Sequence, residues 1–394
     1  MKYIKPPIFF ILYGIVVCSL FLYSFTQIDL GLTLTRLSIW QAVQTSFQYI
    51  GYFNRPLSAM LYGAIVLLLF VCYLLFLRLT SLGKITKKQL WGVVIVVSVL
   101  LGISYNAFSY DLFNYIFDAK IVTYYGQNPY VHKALDFPGD PMLSFMHWTH
   151  RVYPYGPVWL GLSIVLSYVG LHYFIITFFL FKALMVGAFI GTVYFIGKTL
   201  QKVAPNNELF GIALFALNPL VLVEGLISAH NDIVMLFFGV AAVYYLVKKH
   251  FVWAVVLLLL SIGIKFATLF LVPVFFIATI LEKRKQTHSW EITFTLLCML
   301  MSIAVIVASL RTNFQPWYLL YIIPFAALVG KKYYIVIPTV VLSAFALGNY
   351  IPFLYLGNWN PPVPTILSWL LFCSLGISLL VTVLYSRRFI GSKK

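Results

Sequence analysis

This sequence predicts an all-α polytopic membrane protein of about twelve transmembrane helices, eleven to thirteen, and three observations predict it. Apolar runs near or above about 18 residues recur from one end to the other, each long enough to cross a hydrocarbon core of about 30 Å. Charged residues make up 9% of the chain, hydrophobic residues 62%, and mean hydropathy is +0.95. Soluble domains carry about 25% charged residues, so this chain has too few charges to cover a water-facing surface. Finally, Lys and Arg gather in short clusters at the ends of alternate runs, the pattern of the positive-inside rule. The net charge of +17 is therefore read as topology, and no nucleic-acid partner is expected.

Taken in order, the expected spans are 7–26, 57–79, 89–108, 173–197, 208–228, 232–247, 251–264, 266–281, 289–309, 316–330, 333–349 and 363–386. Met1 to Lys5 lead into the first run without a small-residue cleavage site, so it reads as a retained span. The next two runs flank the basic turn from Arg78 to Lys88. The stretch 157–170 is apolar but is placed as a helix in the outer interface. As a further span it would put the basic clusters at 248–249, 283–285 and 387–388 outside. With that choice 19 of the 27 Lys and Arg fall inside, among them Lys2, Lys5, Arg388, Lys393 and Lys394. Seven (Arg36, Arg55, Lys120, Lys133, Arg151, Lys265 and Arg311) fall outside, and Lys182 lies within a span. Spans 251–264 and 266–281 are short and are interrupted by Lys265, a break tolerated at membrane depth only where protein or a cavity surrounds it. Residues 1–394 form a single transmembrane domain in the plasma (cytoplasmic) membrane, with both termini cytoplasmic. Cys18, Cys72, Cys298 and Cys373 all fall in apolar runs and imply neither a disulfide framework nor a zinc site.

Acidic residues show the opposite asymmetry. Seven of the ten Asp and Glu (Asp29, Asp111, Asp118, Asp136, Asp140, Glu224 and Asp232) lie outside or near the outer ends of spans. The segment 109–172, an outer loop with short juxtamembrane helices, holds four of them. A loop of this length and polarity usually has work to do. Asp111 follows a span directly, at headgroup level, where a carboxylate suits a general base acting on a hydroxyl. Asp118 lies nearly two helical turns on, on the same face if the segment is helical. Three further outer features converge. SAHND places His230, Asn231 and Asp232 between two spans, SIGIKF puts Lys265 at the tip of the short pair, and RTNFQPWYL puts Arg311, Gln315 and Trp317 at another span end. Lys265, Arg311 and His230 together form a cradle for a phosphate, which gains charge-assisted bonds from such groups.

The run SYDLFNYIFDAKIVTYYGQNPY, the later YPYGPVWL, NPLVLVEGLISAHND, SIGIKF and QPWYL together resemble the integral membrane GT-C glycosyltransferases. The likeness is greatest to the mannosyltransferases that use polyprenyl-phosphate sugar donors, and it spans roughly residues 108–320. It implies a GT-C-like fold and an inverting hexosyltransferase, a mannosyltransferase in those relatives, moving a sugar from a polyprenyl-phosphate-linked donor to an acceptor hydroxyl on a lipid or glycan at the non-cytoplasmic face. It maps the base to Asp111 with Asp118 as second choice; the residues themselves assign the donor phosphate to Lys265, Arg311 and His230, and substrate contacts to Asn231, Asp232, Tyr153, Tyr155, Gln315 and Trp317. No metal ligand is assigned, and Mg²⁺ or Mn²⁺ stays open as a cofactor. The first hundred residues resemble the family only as spans.

Each residue also has a structural reading. Asp111 suits a helix N-cap, Asp118 a solvated loop carboxylate, and His230 to Asp232 the cap of a span. Tyr153 and Tyr155 sit in turn chemistry. Lys265 suits a snorkelling lysine, Gln315 and Trp317 the interfacial belt, and Glu224 a partner for a neighbouring cation. His147 and His150 read as belt residues rather than a metal pair. The alternative function is a transporter or flippase for lipid-linked glycans. It is disfavoured because the ionisable residues collect at the outer ends of spans and not at the midplane.

Overall fold

A computed structural model of the protein describes residues 6–286 and 289–391, and every regular element among them is helical. Lys2, Lys5, Lys393 and Lys394 lie outside the described residues, as does the side chain of Arg388. The helices in chain order are α1 (Pro6–Ser24), α2 (Ser38–Gln48), α3 (Arg55–Ser81), α4 (Lys87–Gly102), α5 (Asp111–Thr123), α6 (Pro157–Val169), α7 (Phe174–Val203) and α8 (Glu208–Ala216). They continue with α9 (Asp232–Val247), α10 (Phe251–Ile264), α11 (Val272–Lys283), α12 (Trp290–Thr312), α13 (Ile323–Val329), α14 (Tyr333–Gly348), α15 (Tyr350–Leu356) and α16 (Val363–Gly391).

The chain is a multi-pass membrane protein. Among the described residues seven helices are long and apolar enough to cross a bilayer, at Ile8–Gln27, Arg55–Ser81, Phe174–Val203, Phe266–Lys283, Trp290–Thr312, Tyr333–Leu356 and Val363–Arg387. The pair Pro205–Ala216 and Val221–Ile227, bent by 61°, makes an eighth if counted as one span. The remaining expected spans fall short of that length. Those at 232–247, 251–264 and 316–330 are shorter apolar helices, and the one at 89–108 stops as a helix at Gly102.

The shortfall has a physical origin, because hydropathy counts apolar residues and overlooks breaks. Asn218-Pro219 ends α8, since proline has no N–H for the ladder, and the Asn218 carboxamide accepts from the Leu220 N–H at 2.9 Å. The chain resumes as a π-helical segment, Val221–Ile227. Lys265 is extended (φ −154°, ψ 131°) between α10 and the 3₁₀ turn Phe266–Leu271. The stretch 157–170 is helical as α6, whose 13 residues rise only about 20 Å.

One element lies where no helix was expected. The segment α2 is amphipathic: Trp40 meets Phe25 edge-on and Gln44 donates to the Leu32 carbonyl at 2.8 Å, while Ile39 and Val43 are exposed. The best-buried part of the protein runs from α8 through the π-helical segment to α9, flanked by α7 and α10. That core carries Glu224, His230, Asn231 and Asp232 inside it.

Candidate active site

Asp111 is the first residue of α5, so its side chain stands at the positive end of that helix. It is mostly buried, at 15% exposure, and four groups surround it. His230 Nδ1 lies 3.5 Å from Oδ2, the Tyr155 hydroxyl donates to Oδ2 at 3.4 Å, and Arg151 Nη2 lies 3.5 Å from Oδ1. Lys265 adds its charge from further away. Burial alone would raise the Asp111 carboxyl. His230, Arg151 and Lys265 outweigh it and hold the group below the ordinary carboxylate value.

His230 is fully buried between two carboxylates. Its Nε2 lies 3.2 Å from Glu224 Oε2, on the far side of the ring from Asp111. Neither nitrogen meets its carboxylate at a good hydrogen-bonding angle, so the attraction is chiefly one of charge. Burial would lower the imidazole; Asp111 and Glu224 push it up to about 9 instead, leaving an imidazolium at neutral pH. Trp317 stacks on the ring at 4.4 Å, and Glu224 is held from behind by the Tyr350 hydroxyl at 2.8 Å.

The neighbouring turn supplies the rest. Asp232 Oδ1 binds Lys265 Nζ at 2.8 Å, and that ammonium also lies 5.7 Å above the Tyr321 ring. Asn231 is fully buried, yet neither polar atom of its carboxamide finds a partner among the described residues. Buried polar atoms are nearly always bonded, so this side chain is one that a polar ligand would satisfy. The Tyr115 hydroxyl accepts from the Asn231 backbone N–H at 3.4 Å.

Asp118 shares a face of α5 with Asp111 and Asn114. It is buried, and burial pushes its carboxyl up to about 8 against the pull of Arg151, with Asp111 adding to the rise. Asn114 Oδ1, one turn away, is also without a partner among the described residues. Tyr153 packs edge-on to Tyr155 and bonds the Gly156 carbonyl at 3.2 Å.

Two sequence motifs interlock here. The Gly156 N–H of the YPYGP turn donates to the Ile264 carbonyl at 3.0 Å, next to Lys265. A Cβ on Gly156 would fall on the carbonyl of Gly263. Gly156→Ala is expected to destabilise the protein by about 1–3 kcal/mol through overpacking. Thermal melts against Gly161→Ala, whose Cβ would meet nothing within 4 Å, check this.

Of the residues singled out in the sequence, the structure gathers Asp111, His230, Asn231, Asp232, Lys265, Tyr155 and Trp317, with Asp118 and Tyr153 bordering them. Arg311 stands apart, exposed in the last turn of α12, and makes no ion pair or hydrogen bond among the described residues. Gln315 is half-buried at the start of the 3₁₀ turn and touches none of the carboxylates through a hydrogen bond. His147 and His150 lie outside any helix, and His147 stacks on Tyr110 at 3.7 Å. Sequence reasoning did not assign Arg151 or Tyr350 to the site. Arg151 opens the tyrosine-rich turn, a position that marks it as a partner for the Asp111 loop. Nothing in the sequence pairs Tyr350 with residue 224.

Among the described residues no group of three or more His, Cys, Asp or Glu is placed to hold a metal ion. An apolar cavity of about 180 Å³ lies between α12, the 316–329 segment and α14, lined by Cys298, Ser302, Leu319, Ile322, Pro338 and Leu342 among others.

No curated protein and no solved structure matches the chain significantly. One family model does, over residues 15–281, a stretch that takes in Asp111, Glu224, His230 and Lys265 and stops short of Trp317. Its description is alpha-(1->6)-mannopyranosyltransferase, N-terminal domain. The chain therefore belongs to the alpha-(1->6)-mannopyranosyltransferase family and is a mannosyltransferase.

Proposed function

We propose that the chain transfers mannose, with inversion, from a polyprenyl-phosphate-linked donor to a hydroxyl of a glycan or glycolipid acceptor at the non-cytoplasmic face of the plasma membrane. The observation that carries this reading is Asp111 itself: a mostly buried carboxylate, kept ionised by His230, Arg151 and Lys265, at the membrane-proximal end of the outer segment. The acceptor hydroxyl oxygen attacks the anomeric carbon while the bond from that carbon to the phosphate oxygen breaks. Asp111 takes the hydroxyl proton, and the electron pair leaves on the phosphate. Lys265 faces the developing phosphate charge, where a fixed cation lowers the barrier most. Asn231, Asn114 and the neutral carboxyl of Asp118 offer donors and acceptors for sugar hydroxyls.

The apolar cavity beside the 316–321 turn suits an isoprenoid tail, since Trp317 in the same turn stacks on His230. The distribution of Lys and Arg supports the outward-facing site and the cytoplasmic termini. The family description supports an α-(1→6) product, for which inversion requires a β-linked donor. Arg311, exposed and without an ion pair among the described residues, is left without a defined role by this geometry.

Purified protein in lipid nanodiscs, given polyprenyl-phosphate mannose and a synthetic mannoside, tests the reading. It should form the α-(1→6) product and should not use a nucleotide sugar in place of the lipid donor; direct use of the nucleotide sugar would sink the proposal. In the same assay Lys265→Ala should raise KM for the donor by about 10- to 100-fold, the worth of one charge-assisted hydrogen bond. The double variant Lys265→Ala/Asp232→Asn should show the same KM without leaving an unpaired buried carboxylate.

A further inference from the structure

Lys182, in the first third of the long helix α7, takes no part in the chemistry above. It is 1% exposed and has no carboxylate partner among the described residues. Its ammonium donates to the carbonyl oxygens of Leu226 and Ile227, the latter at 3.1 Å, and approaches Ser104 Oγ at 3.4 Å. Leu226 and Ile227 end the π-helical segment that carries Glu224 and leads into His230. Ser104 begins the extended stretch that leads from α4 into Asp111. One side chain thus touches both segments on which the Asp111–His230–Glu224 cluster is built.

Those segments are strained just beyond the contact. Phe108 (φ +68°) and Ala229 (φ +54°) both occupy the left-handed region, which costs a residue with a side chain free energy and persists only where the surroundings impose it. A direct bond between the segments, from Ser228 Oγ to the Ala107 carbonyl at 3.0 Å, lies between the Lys182 contacts and the two strained residues. Carbonyls at a helix end are commonly satisfied by backbone N–H groups or water. Burying an ammonium for the purpose is expensive, and what it adds is three charged donors fanned from one point.

We propose that Lys182 is the positioning residue of this centre, fixing the separation of Asp111 and His230 by anchoring both of their backbone segments to α7. The inference rests on the reading of Asp111 as the base kept ionised by His230. The groups facing His230 are Asp111 from α5, Glu224 from the π-helical segment and Trp317 from the 3₁₀ turn; Arg151, Tyr155 and Lys265 face Asp111.

Trp317 provides a readout independent of turnover, because a protonated imidazole quenches a stacked indole. The fluorescence difference between a protein and its Trp317→Phe counterpart, followed against pH, reports the charge on His230. In the parent the midpoint should lie at about 9. Lys182→Met should lower it by about one pH unit as the two carboxylates lose their alignment. It should also reduce kcat on the order of 10²-fold, the cost of roughly an ångström of misplacement, with KM for the donor within about twofold. If Lys182→Met does not fold, Lys182→Gln carries the test. It keeps N–H donors on a chain one atom shorter and should lower the midpoint by about half a pH unit. A melting temperature that drops while the midpoint and kcat stay put, in either variant, overturns the proposal. Failure of the parent to transfer mannose from a lipid donor would defeat the function proposed above while leaving the fluorescence result to decide the role of Lys182.

Discussion

Asp111→Asn should lower kcat for mannosyl transfer by about 10²–10⁴-fold, the range set by removing a positioned general base. The substitution is nearly isosteric and keeps one acceptor oxygen, for either the Tyr155 hydroxyl or Arg151, so folding should survive. KM for the donor should change little, because Lys265 is held by Asp232 and not by Asp111. The pH dependence follows from the surroundings. Asp111 is held below the ordinary carboxylate value, so its basic form persists into acid and the parent rate should decline only as pH falls through that depressed value. Rates measured across pH in lipid nanodiscs, with circular dichroism to verify folding, check both points. Full activity in Asp111→Asn would remove it as the base.

His230→Ala should have the largest effect on stability. Among the described residues the imidazolium is the one cation in close range of both Asp111 and Glu224, and its loss leaves two carboxylates short of a partner. Breaking a buried ion pair from one side costs about 3–5 kcal/mol. The sign of the pH dependence is set by the raised value of His230. Its contribution is complete below the unfolded value of about 6.5 and disappears as pH rises through about 9. Parent and variant should therefore differ most at and below about pH 6.5, less as pH rises past neutrality, and converge in alkali, a trend that thermal unfolding across pH will show. With the cation gone, the Asp111 carboxyl should rise and the acidic limb of the rate profile should move to higher pH. Adding Glu224→Gln, which keeps an oxygen for the Tyr350 hydroxyl, should recover part of the lost stability.

The membrane class was legible because composition and basic-cluster spacing report the solvent directly. The break at Lys265 was legible for a similar reason, since a lysine inside an apolar run has to face something polar. Lengths were harder to read. Residues 208–228 look like one span by hydropathy, but Asn218-Pro219 bends them, and no apolar count registers a missing N–H. The helix α2 has an apolar stripe at Ile39, Trp40, Val43 and Phe47, a helical spacing that would have revealed it. Site residues on neighbouring segments were readable as a group because they follow apolar runs on one side. Arg311 shares that placement yet is exposed and joins none of the site's ion pairs or hydrogen bonds among the described residues, since a position at a helix end fixes depth without fixing direction. The contact between Glu224 and His230 depends on Ala229 adopting a left-handed turn, a conformation the sequence does not favour there.

Trp317 on His230 and the Tyr350 hydroxyl on Glu224 bear on how the molecule can be divided. Both supports reach the carboxylate–imidazole cluster from beyond α11, 87 and 126 residues further along the chain yet adjacent in space. A fragment ending after Lys283 would retain Asp111, Glu224, His230 and Lys265 and still lack the ring and the hydroxyl that brace them. Supplying the missing helices as a separate polypeptide should restore what truncation removes, so the enzyme is separable into two chains only when both are present together.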